Sequence, residues 1–206
     1  LSSASSSASF PASATTKGLS YRVVVTPSDG TGDGDPGEAE IEIDNSAPVL
    51  SGPTISPATG ITNSSTLVCS ASATDADGDA PSVTYAWDNG GAGLGSGASL
   101  TLTAGSASPG DGITCTAIAT DDEGATGSAS ASVVVDNSAP VVDSVTISPS
   151  SGLTTSGTAV CSASASDPDG DATVLSYAWS IGSTSLGSGA SLTLGASTAA
   201  PGDSLT

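Results

Sequence analysis

The chain has no histidine and no methionine, and Lys17 and Arg22 are its only cationic side chains. Without imidazole, nucleophile relays of the Ser-His and Cys-His kind are excluded, as are imidazole metal sites. Two cations against 21 acids give a formal net charge of −19. No basic stripe for nucleic acid can be built from them, and an anionic membrane surface repels the chain. Almost nothing is left to hold a phosphate or an oxyanion by charge. Aromatic residues make up only 3% of the chain. A core must therefore come from Ala, Val, Leu and Ile, which bury little area each and leave a small domain in need of a staple. No apolar run approaches the roughly 18 residues of a membrane span, and no secretory leader is legible.

What the chain does have is repetition. Asn45-Ser-Ala-Pro-Val recurs at Asn137-Ser-Ala-Pro-Val, a shift of 92 residues. The same shift carries Cys69 to Cys161, Asp75 to Asp167, Tyr85 to Tyr177, Trp87 to Trp179 and Leu94 to Leu186. Laid over 137–206 without gaps, 45–114 is identical at 43 of 70 positions, so one structural unit is repeated. Residues 1–44 read as the second half of an earlier unit, with Tyr21 where Cys115 falls and Asp44-Asn45 where Asp136-Asn137 falls. The expected division is a half-module at 1–44, a complete module at 45–136 and the N-terminal part of a third at 137–206.

Within the complete module the apolar residues alternate. Leu67, Cys69, Ala71 and Ala73 share one parity; so do Val83, Tyr85 and Trp87, then Leu100 and Leu102. Ile113, Cys115, Ala117 and Ala119 follow, and then Ala129, Ala131, Val133 and Val135. Period-2 runs broken by Gly, Pro, Asp and Asn clusters predict strands with one face on a core. With a short strand near Thr54–Ile55, at least six strands are expected in an all-β module, the scale of an immunoglobulin-like sandwich. Such modules in series would make a linear rod. Cys69 and Cys115 sit at inward parity with Trp87 between them in sequence, the immunoglobulin order in which the indole packs on an inter-sheet disulfide. Two buried reduced thiols are the alternative. The partner of Cys161 is expected one residue past Thr206. A disulfide implies an oxidising, extracellular or cell-surface compartment.

Asp75-Ala-Asp-Gly-Asp79, Tyr85-Ala86-Trp87-Asp88, Pro109-Gly110-Asp111 and Ala119-Thr-Asp121-Asp-Glu-Gly-Ala125 resemble the polycystic-kidney-disease-type (PKD) repeat. The third unit carries Asp167-Pro-Asp-Gly-Asp171, Tyr177-Ala-Trp179 and Pro201-Gly202-Asp203, with Ser180 in place of the Asp. The Phe-Gly-Asp-Gly continuation of the family is missing and the paired cysteines lie outside its general pattern. The chain thus looks like a disulfide-bearing PKD or bacterial immunoglobulin-like variant. The resemblance implies a sandwich fold and the family's usual setting, large secreted or surface proteins in which such modules space, adhere or bind glycans.

The acidic clusters are the places where chemistry can sit. Asp75, Asp77 and Asp79 at i, i+2 and i+4 around Gly78 can converge on a hard cation. The bidentate acid of a twelve-residue calcium loop is missing, because that position holds Ala86, and Ala178 in the next unit. In an immunoglobulin-like sandwich the loop after the first-cysteine strand, the last hairpin and the incoming linker share one end. Asp44, Asn45, Asp75, Asp77, Asp79, Asp121, Asp122 and Glu123 are therefore expected at one junction, much as cadherin repeats stiffen their linkers with Ca2+. Asp136, Asn137, Asp167, Asp169 and Asp171 are expected at the next. The bland alternative is that Asp, Asn and Gly are good turn residues in solvated loops. The loop Asp29–Glu38 is a lesser candidate for an ion, and Asn63-Ser64-Ser65 is a glycosylation sequon. Paired carboxylates for glycoside hydrolysis exist only in Gly-rich turns without a groove, so no enzyme is expected. The favoured reading is a structural or adhesive segment of a stalk, adhesin or surface filament. Its partners would be further repeats of the same polypeptide or homopolymer, with surface glycans or proteins as adhesive ligands. The rival is a glycan-binding accessory module of a secreted hydrolase, which needs exposed planar aromatics.

Overall fold

A computed structural model describes residues 9–206, so the first eight residues of the expected first module lie outside it. The described chain is all-β apart from one 3-10 turn, Ala12–Ala14. No helix among the described residues is long and apolar enough to cross a membrane. Two compact units are present.

One unit comprises the described residues up to Ala58 with Thr66–Thr101 and Gly112–Val133. A hairpin of β1 (Ser20–Val25) and β2 (Gly37–Glu42) comes first. Then β3 (Val49–Ser56), β4 (Thr66–Thr74) and β7 (Ser99–Thr101) form a three-stranded sheet in the order β3-β4-β7. A four-stranded sheet has the order β6-β5-β8-β9, with β5 at Ser82–Asn89, β6 at Ala92–Ser96, β8 at Gly112–Thr120 and β9 at Thr126–Val134. Two sheets of this kind are consistent with a β-sandwich.

The predicted parity sets which side chains are covered. Leu67, Cys69, Ile113, Cys115, Ala117 and Ala119 are essentially inaccessible to solvent, while the serines and threonines between them are not. Alternation does this directly, since successive Cβ atoms leave a strand on opposite faces. Cys69 on β4 is bonded to Cys115 on β8, with Cα atoms 6.5 Å apart, so one covalent bond ties the two sheets. Trp87 pairs with Cys115 across β5 and β8, is 2% exposed, and donates Nε1–H to the Gly97 carbonyl at 2.9 Å. The Tyr85 hydroxyl accepts the Ala71 amide at 3.1 Å. With so few aromatics, each ring both fills volume and satisfies a backbone group.

The other unit comprises Thr59–Ser65, Leu102–Asp111 and Val134–Thr206. Its strands are β10 (Val141–Ser148), β11 (Thr158–Ser166), β12 (Ala178–Ile181), β13 (Thr184–Ser188) and β14 (Ser191–Thr193). They form a sheet β10-β11-β14 and a ribbon β12-β13. Pairing registers reappear 92 residues on. Ile55 faces Cys69 and Ile147 faces Cys161; Trp87 faces Gly95 and Trp179 faces Gly187, each just before the same irregularity. Trp179 is also 2% exposed and donates to the Gly189 carbonyl at 2.8 Å.

Candidate metal centre

The linker after β2 and the loops after β4 and β8 build the first acidic site. The loop after β4 turns back at Gly78, whose φ of +89° lies in the left-handed region that glycine occupies at low cost. Asp75 Oδ1 accepts the Asp77 amide at 2.7 Å, an Asx turn that fixes the loop. Asp77 Oδ2 accepts the Ser46 amide at 2.6 Å, pinning the incoming linker to this loop. Asp77 therefore faces the linker, while one oxygen each of Asp75, Asp79 and Asp121 lie within 4.8 Å of one another.

Asp121, at the end of β8, is 6% exposed. Asn45 donates Nδ2–H to its Oδ2 at 2.8 Å and the Ala125 amide donates to its Oδ1 at 2.7 Å. These donors hold its carboxyl below the usual value of 3.8, the Asn45 side chain contributing most; burial opposes them, and the amides of Ala125, Gly124 and Glu123 add to the effect. Asp75 is bonded only through Oδ1. Its Oδ2 is the one buried side-chain polar atom among the described residues without a partner.

Lys17, which composition alone gave no reason to single out, enters this cluster. Its ammonium is paired with Asp79, with Glu123 at 2.6 Å, and with the Asn45 amide oxygen at 3.2 Å. The hydrogen bonds to Asp79, then Glu123, hold the lysine well above its ordinary pKa, against a smaller opposing effect of burial. The signal available in the sequence was slight: the only lysine of a strongly acidic chain, four residues before Tyr21.

Asp44 and Asp122 are exposed and stand outside the group of three converging carboxylates. At the second junction the same local design returns. Asp167 Oδ1 accepts the Asp169 amide at 2.8 Å, and Asp169 Oδ2 accepts the Ser138 amide at 2.5 Å. Asp136 Oδ2 accepts the Gly60 amide at 3.0 Å, Asn137 donates to the Ser138 carbonyl at 2.8 Å, and Asp171 is exposed. The sequon residue Asn63 is 4% exposed and donates Nδ2–H, the group a glycan would use, to the Pro168 carbonyl at 3.1 Å. Burial and that bond engage the acceptor nitrogen of the sequon in this fold. In the Asp29–Glu38 loop, Asp29 Oδ1 is already taken by the Thr31 amide and hydroxyl and the Gly32 amide, which hold its carboxyl below the usual range, the hydroxyl first.

No protein-family model matches the chain, and no curated protein matches it. The PKD likeness therefore rests on the residues quoted for it.

Proposed function

We propose that this chain is a structural or adhesive segment of a secreted or cell-surface protein. It is built of tandem immunoglobulin-like, PKD-like modules spanning 1–44, 45–136 and 137–206, and its junction acids hold a cation, the Lys17 ammonium at the first junction and calcium at the second. One observation carries this reading: the linker is anchored the same way in both places. Ser46 is held by Asp77 and Ser138 by Asp169, residue for residue 92 apart. A device that fixes each linker to the module following it suits a chain whose work is to hold modules in series, and a disulfide suits an oxidising compartment. The glycan-binding rival needs exposed indoles, and both tryptophans are 2% exposed.

The test is a thermal melt of the whole chain with calcium and with chelator, beside sedimentation with insoluble polysaccharides. Extracellular modules bind calcium with dissociation constants of about 10⁻⁴–10⁻³ M. At a hundredfold excess the expected gain is about 2.7 kcal/mol per site, with no retention on polysaccharide. Equal midpoints would remove calcium from the reading. Retention with a shift in tryptophan emission would favour the glycan-binding module instead.

A further inference from the structure

The two junctions share their linker anchor but differ in charge closure. At the first, the ammonium of Lys17 reaches Asp79, Glu123 and Asn45. At the second no lysine is available, because Lys17 and Arg22 are the only cations of the chain, and Arg22 is paired with Glu38 at 2.9 Å. Lys17 stands four residues before Tyr21; the residue four before the aligned Cys115 is Asp111, an acid. The position that supplies the lysine at the first junction thus carries an acid at the second.

We infer that Lys17 is the tethered cation of the first junction, seated where a divalent ion would otherwise sit, and that its removal converts Asp75, Asp79 and Asp121 into a divalent-cation site. Two independent observations support this. A positive group already sits on Asp79, one of these acids, and is bonded also to Glu123 and to the amide oxygen of Asn45, whose nitrogen donates to Asp121; two carboxylates and an amide oxygen are the donor set a hard cation takes. Second, Lys17 does not satisfy the whole group: Asp75 converges with Asp79 and Asp121, and its Oδ2 is buried without a partner. An ammonium has three donors, and here all three go to Asp79, Glu123 and Asn45. A divalent ion coordinates six to eight oxygens and would recruit Asp75 and Asp121 as well, but only by taking Asp79 from the lysine. A lysine fixed on the same chain needs no ion from solution, so the first junction is closed at any calcium concentration. The second depends on the proposed calcium.

This inference rests on the reading of the junction acids as cation sites, and the experiment separates the two. The single lysine gives one ammonium resonance in the 15N-labelled full chain, and backbone amides report each junction separately. In the wild type, several millimolar calcium should leave the ammonium signal and the amides of Gly78 and Gly124 in place. In Lys17→Met the amides of Gly78 and Gly124 should titrate, with a dissociation constant of about 10⁻⁴–10⁻³ M. The variant should melt lower than wild type in chelator and recover with calcium. Lys17→Arg, which keeps the charge, should stay calcium-insensitive at Gly78. Displacement of the wild-type ammonium signal by calcium would overturn the inference. So would a Lys17→Met chain whose Gly78 and Gly124 amides ignore calcium while it stays folded. An intact mass short by one ammonia would also overturn it, because Lys17 would then have condensed with Asn45 and lost its charge. Gly170 reports the second junction alone: its failure to move would sink the calcium reading there and leave the Lys17 result to be judged on Gly78 and Gly124.

Discussion

A handful of residues do most of the holding in a chain this poor in bulk. Cys69 and Cys115 close a loop of 46 residues in sequence separation, and loop closure of that length restricts the unfolded chain. Cys69→Ala should cost about 2–5 kcal/mol in a denaturant melt of the full chain, and a loss well under about 1 kcal/mol would show that burial alone suffices. Asp121 makes a different contribution. Its donors hold its carboxyl below the usual 3.8. As pH falls the unfolded chain takes up the proton first, so this stability is complete above the unfolded value and fades as pH drops through the folded one. The melting temperature should decline from about pH 5 downward, and Asp121→Asn should flatten that decline while lowering the plateau. An identical acid limb in both proteins would mean that other carboxyls govern it.

At the scale of elements, the strands are specified by alternation and positioned by close approaches. Gly127 is the second residue of β9, where the linker carbonyl of Pro48 passes, and a Cβ at 127 would collide with that carbonyl. Gly127→Ala must push the linker off the strand and should cost about 1–3 kcal/mol, the scale of overpacking. Gly112→Ala at the start of β8 meets nothing within 4 Å and should change stability by no more than about 0.5 kcal/mol. Chemical denaturation of the pair checks both, and equal losses would show that helix-free backbone entropy, not the Pro48 contact, sets the cost. The β1–β2 hairpin follows another rule: its valines Val23, Val24 and Val25 and its Ile41 are exposed, because among the described residues no second sheet covers them. Alternation tells which residues share a face, and only the presence of a partner sheet makes that face a core.

For the molecule as a whole, charge is the dominant global property. A formal net charge of −19 makes the compact state repel itself, apart from the local relief given by Lys17 and Arg22. Screening shortens that repulsion to about 8–10 Å at physiological ionic strength. The melting temperature should therefore rise when sodium chloride is increased from about 0.01 M to about 0.15 M, before any calcium is added. A fall would mean that the Lys17 ion pairs, which salt weakens, outweigh the general repulsion.

The sequence by itself determined the all-β class, the strand faces, the 92-residue recurrence and the inward parity of Cys69 and Cys115, for a common physical reason. Strand stereochemistry has period two, so parity is local and can be counted along the chain; the structure then bonds the two inward cysteines to each other. It also indicated most of the acids at the junctions, because turn-forming Asp and Gly announce themselves. Only the tertiary structure decided what those acids do. Lys17 lies 62 residues from Asp79 and 106 from Glu123, and Asn45 lies 76 from Asp121. Such contacts depend on which loops the fold brings to one place, and no local pattern encodes that. The same holds for Asn63, whose sequon is legible but whose amide is committed to Pro168, 105 residues away. Spacing and parity could name the carboxylates; long-range convergence chose which of them meet, placed a lysine among them, and left Asp75 Oδ2 buried without a partner.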